Sequence, residues 1–127
     1  MATLKIAKTI GMTMLVLFAA IAVSGCNGGG TKLGQEIPSG ISVTKLSDIL
    51  QHPTDYNGKT VLLEGIISGQ CTSLCEFFFK EGASQATIYP QGYKFTKLAI
   101  GKKVKVYTTV TSGADNVVFS ALGIKTE

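Results

Sequence analysis

Residues 58–87 read GKTVLLEGIISGQCTSLCEFFFKEGASQAT, and this stretch decides the fold. It divides into an aliphatic run, a short loop bounded by Cys71 and Cys75, and an aromatic run. Thr60 to Ser68 is rich in Val, Leu and Ile, side chains that suit a pleated, half-buried surface. Gly65 interrupts that run, and a glycine inside a strand marks a bulge, a bend or a close backbone approach. A long strand that bends at a glycine is able to pair with two neighbours and so to close a small barrel. In the aromatic run, alternation puts Glu76, Phe78 and Lys80 on one face and Phe77 and Phe79 on the other. The charges claim solvent, so Phe77 and Phe79 are expected in the core and Phe78 outside.

Working outward, Ala86 to Tyr89 reads as a third short strand ended by Pro90. Tyr93 to Ile100 reads as a short helix or a loop turn. Gly101 opens the cleanest alternation in the chain: Val104, Val106, Thr108 and Val110 inward, Lys103, Lys105, Tyr107 and Thr109 outward. Ser112 to Asn116 forms a hairpin turn around Gly113, and Val117 to Lys125 is the last strand. Before the first strand, Leu46, Ile49 and Leu50 recur at helical spacing with Val43 one turn earlier, Thr44 is the candidate N-cap, and Pro53 stops the helix. Asn57-Gly58 is a turn pair. The helix is expected to plug one end of the barrel.

Five strands with a helix-like insert between the third and fourth match the OB-fold, an all-β, partly open Greek-key barrel. YNGKTVLLEGIIS (56–68), the cysteine pair, YKF (93–95) and AIGKKVKVYTTV (99–110) resemble small OB-fold domains of exported bacterial proteins and lipoproteins, many of unknown function. The resemblance covers Ile41 to Lys125. Such domains often carry a Cys, a few residues, then Gly-Cys-Trp; this chain has Leu74 and Glu76 where the Gly and Trp would stand.

The amino terminus carries an address. Lys5 and Lys8 precede the uncharged apolar run Ile10 to Val23, which is short for a membrane span of about 20 residues and fits the h-region of a secretory signal. The run ends in Val23-Ser24-Gly25-Cys26, which looks like a bacterial lipobox. That resemblance implies acylation of Cys26, cleavage before it, and stable anchoring by its acyl chains. The expected organisation is a signal peptide over 1–25, a flexible glycine-rich tether over 26–40 and an OB-fold-like domain over 41–127. Removal of the signal would leave 102 of the 127 residues. The expected location is the cell envelope, facing the periplasm. Asn27, where aspartate would be the usual inner-membrane retention signal in enteric bacteria, points to the outer membrane.

All twelve basic residues are lysines, and without the leading segment ten of them face eight acids. So small a balance does not argue for an acidic partner. The outer face of the barrel offers Phe78, Lys103, Lys105 and Tyr107 as a candidate binding face, the combination OB-folds use on nucleic acid. The missing arginine and the near-neutral charge argue against that ligand. A protein, glycan or small ligand of the envelope is the expected partner, besides the membrane itself.

Cys71 and Cys75 are the distinctive chemical pair. Two cysteines flanking a hairpin loop in an exported protein are expected to form a disulfide, contributing about 2 kcal/mol. Redox or regulatory thiols and a metal, with copper(I) accepting two thiolates, are the alternatives. Glu76 beside Cys75 opposes a reactive thiolate. Zinc wants four ligands, and the pair alone does not supply them. No cofactor is expected, and no catalytic residue is assigned: the single histidine, His52, would have to serve every role in a triad, and its expected place is a helix C-terminus.

Overall fold

The computed structural model describes residues 30–127; the expected signal peptide over 1–25, the lipidation candidate Cys26 and the first residues of the expected tether lie outside the described residues. Thr60–Gln70, the strand β2, is the organising element after a short β1 (Lys32–Gly34) and two short helices, α1 (Leu46–Gln51) and α2 (Pro53–Tyr56). Its first half, Thr60 to Ile66, pairs with β5 (Lys103–Ser112), and its second half, Ile66 to Gln70, pairs with β3 (Phe77–Glu81). Gly65 sits where the strand changes partners. A side chain there would meet the Lys80 carbonyl and the Phe79 ring, each 2.5 Å from the added carbon, so the residue marks a close approach. The bulge itself falls between Ile67 and Gly69.

β3 turns into β4 (Ser84–Pro90), β4 runs parallel to β6 (Val117–Thr126), and β6 pairs with β5. The circuit β2–β3–β4–β6–β5–β2 is closed, and its one parallel pair gives the five-stranded OB-fold-like barrel that was expected. Alternation holds in β3 and β5, whereas Val61, Leu62 and Leu63 of β2 are buried in succession. Phe77 and Phe79 are fully buried while Phe78 is 40% exposed; Val104, Val106, Thr108 and Val110 are all inward. Phe77 meets Phe95 edge-on with ring centroids 5.1 Å apart.

Of the two readings of the segment before Gly101, a short helix or a loop turn, the structure shows the second, and two other local features differ from expectation. Residues 91–102 form a loop and not a helix. Phe95 and Leu98 still fill the core, because the Gln70 side chain holds the loop from both sides: its Nε2 donates to the Thr96 carbonyl and its Oε1 accepts from the Leu98 N–H, each at 2.8 Å. Helix α1 has Lys45, not Thr44, at its N-cap, and its Leu46 N–H is taken by the Glu81 carboxylate at 3.0 Å. Leu46 and Ile49 plug the barrel, whereas Leu50 and Val43 face outward; Pro53 stops α1 and at once begins α2, with His52 exposed at the junction. Finally, within the stretch read as tether, Lys32–Gly34 adds β1 antiparallel to β6. Leu33 packs against the core opposite Ile124, and Thr31 and Gln35 hydrogen-bond to Thr126 and Leu122 on either side.

Candidate functional site

The loop between β2 and β3 carries the cysteine pair, and both thiols are free. The expected disulfide is therefore corrected, and register gives the reason. The last ladder pair is Gln70 with Phe77, so Cys71 lies opposite Glu76 and not opposite Cys75. The Cys71 N–H donates to the Glu76 carbonyl at 3.2 Å, and the Leu74 N–H closes a turn onto the Cys71 carbonyl at 2.9 Å. Leu74 itself adopts a left-handed backbone, φ 62°. The turn brings the Ser73 hydroxyl between the sulfurs, 3.1 Å from Cys71 Sγ and donating to Cys75 Sγ at 3.2 Å.

This arrangement lowers the Cys71 thiol from its ordinary range. The Ser73 hydroxyl is the largest cause, followed by the Ser73 backbone and the Cys75 thiol. Burial and the Glu76 charge oppose it, Glu76 least of all, so the carboxylate does not govern the thiol as the sequence had suggested. At Tyr89 of β4 Glu76 is the largest cause of a raised phenol pKa, first as hydrogen-bond acceptor and then as a nearby charge. The two sulfurs and a Glu76 carboxylate oxygen all lie within 4.8 Å of one another.

The candidate binding face is divided by the barrel. Phe78 leans over Gly69 and lines a shallow trough with Tyr89, Leu50 and Val118. Lys103 and Lys105 line a separate, smaller recess with Glu64 and Ile66, because β2 lies between their strand and β3. Tyr107 lines neither.

A third groove, of about 470 Å³, was not foreseen. It is lined by residues of β1, β2, β5 and β6 and by residues 34–41 and Val43. Register sets Lys32 opposite Lys125, Lys125 opposite Lys105, and Lys105 opposite Glu64, so four strands contribute one row of three cations and one anion. Lys105 Nζ is 3.6 Å from Glu64 Oε1; Lys32 and Lys125 have no ion pair among the described residues. Only the outward parity of Lys105 was readable in advance, since the row joins positions far apart in the chain.

No protein-family model matches the sequence, and no curated protein matches it. Among solved structures, an aspartyl-tRNA synthetase assignment from Leishmania major Friedlin superposes with a TM-score of 0.57 at 16% identity, over 71% of this chain and 21% of that one. The chain thus spans about a fifth of that protein. The hypothetical protein ygiW from E. coli superposes with a TM-score of 0.55 at 17% identity, over 71% of this chain and 94% of that one. At such identities the likeness is one of fold: the chain shares its small OB-fold-like barrel with ygiW along nearly the whole of the latter.

Proposed function

We propose that the chain is a lipid-anchored, non-enzymatic barrel module of the bacterial cell envelope that binds a small anionic ligand in the groove beside β1. The anchoring rests on Val23-Ser24-Gly25-Cys26 after an uncharged apolar run. The ligand class rests on one observation, the row Lys32–Lys125–Lys105 with a single carboxylate at its end. Like charges directly opposite each other on a sheet oppose folding. A phosphate- or carboxylate-bearing ligand seated in the groove removes that repulsion, and lysine ammonium groups serve as point charges for it. Nucleic acid is disfavoured on charge, as above.

Two experiments test the two halves separately. Cys26→Ser is expected to accumulate as unprocessed precursor and to lose acylation by mass spectrometry; maturation at residue 26 in that variant would overturn the anchoring. For the groove, inorganic phosphate is titrated into isotope-labelled protein. Amide shifts are expected at Lys32, Lys105 and Lys125, weakened in Lys125→Gln. Shifts scattered over the surface, or unchanged by that substitution, would overturn the ligand class.

A further inference from the structure

We propose that Cys71, Cys75 and Glu76 form a site for one thiophilic metal ion of the zinc class, held by two thiolate sulfurs and a carboxylate oxygen with the remaining position open to water. The site shares no residue with the lysine-lined groove and does not depend on the anchoring of Cys26.

The donor atoms already converge, all within 4.8 Å of one another on one loop. Zinc binds sulfur at about 2.3 Å and carboxylate oxygen at about 2.0–2.2 Å, so tetrahedral donors sit somewhat under 4 Å apart. Small rotations of half-buried and exposed side chains close that difference. Three protein ligands and a solvent position is the arrangement of an open zinc site, which answers the four-ligand objection that the cysteine pair alone raises. Glu76, which stands where the resembling domains place an aromatic, supplies the third donor.

The loop is also built to bring these groups together. Cys71 and Glu76 are held across from each other by a backbone hydrogen bond that continues the β2–β3 ladder. Cys75 is brought back toward Cys71 by Leu74, a branched residue in a conformation that favours glycine. The Ser73 hydroxyl lies between the two sulfurs, the place a shared electrophile would take. Binding replaces the two thiol protons, which pass to solvent, and involves no change of oxidation state.

The test uses the full chain carrying Cys26→Ser in detergent, so that the two loop cysteines are its only thiols. Cobalt(II) is titrated as a spectroscopic substitute, then displaced by zinc. One equivalent per chain is expected, with a sulfur-to-cobalt charge-transfer band and release of two protons. Cys75→Ser should abolish the band, and Glu76→Gln should weaken binding more than about tenfold while leaving the far-ultraviolet circular dichroism of the barrel unchanged. The proposal is overturned by any of three results: both thiols oxidised in protein taken directly from the envelope, one ion shared between two chains, or Glu76→Gln binding as tightly as the parent. The last result, with copper(I) held on the sulfurs alone, would also remove the third donor.

Discussion

The Glu81 carboxylate accepts the Leu46 backbone N–H at 3.0 Å, and so fastens the barrel's plug to the end of β3. An acid at a helix start satisfies an orphan donor and complements the positive end of the helix. Glu81→Ala should lower stability by about 1 kcal/mol, and Glu81→Gln by less, because the amide oxygen still accepts. Urea midpoints at unchanged slope measure it, and faster exchange of the Leu46 amide should accompany the loss.

Among the three consecutive phenylalanines, the outer pair carry the core. Phe77→Ala and Phe79→Ala should each cost about 3–5 kcal/mol, since both side chains are fully enclosed. Phe78→Ala should cost under about 1 kcal/mol. Chemical denaturation of the three single variants compares them directly; a Phe78 variant that proves the weakest would reverse the facing of the whole strand.

Tyr93 packs edge-on to Phe95, and its hydroxyl, shielded from solvent, finds no hydrogen-bond partner among the described residues. Burial pushes its pKa up to about 12. The unfolded chain releases this proton near pH 10 and the folded chain near 12, so the contribution is intact below about pH 10 and is lost as pH rises toward 12. Tyr93→Phe should equal or exceed the parent in stability at neutral pH, because it removes an unpaired buried polar group. It should also lose stability less steeply between pH 10 and 12, as read from urea midpoints across that range.

Gln70 holds the loop over residues 91–102 with both ends of its amide. Gln70→Ala removes two hydrogen bonds at once and should cost about 1–3 kcal/mol. Hydrogen exchange should rise at Leu98 and its neighbours while the β5 and β6 amides keep their protection. Gln70→Glu should rescue only part of the loss, since a carboxylate accepts from Leu98 but cannot donate to Thr96.

The barrel was legible because its strands are written in local alternation: Phe77, Phe79, Val104 and Val106 declare their face within a few residues of sequence. Gln70, Glu81 and the row of lysines were not, because each depends on partners distant in the chain. Glu81 lies 35 positions from Leu46, and Lys32 meets Lys125 only once the last strand is in place. The cysteine loop was half legible. Spacing announced that the two side chains approach each other, but the register that sets Glu76 opposite Cys71, and the left-handed turn at Leu74, decide that they approach as thiols around Ser73. The loop over 91–102 was legible only as one of two alternatives, because Tyr93, Phe95 and Leu98 have the apolar content of a buried element while its order comes from distant partners, the Gln70 amide and the backbones of Ile67 and Ala121.

The pinning of Lys32 to β6 sets the length of a leash. Were Cys26 lipidated as proposed, only five residues would lie between it and the first paired strand, a span of about 20 Å even when fully extended. A barrel on so short a line would stay close above the headgroups. The cationic row begins at the residue where that line would be made fast, so under the proposed anchoring any solute captured there would come from the layer of water next to the membrane.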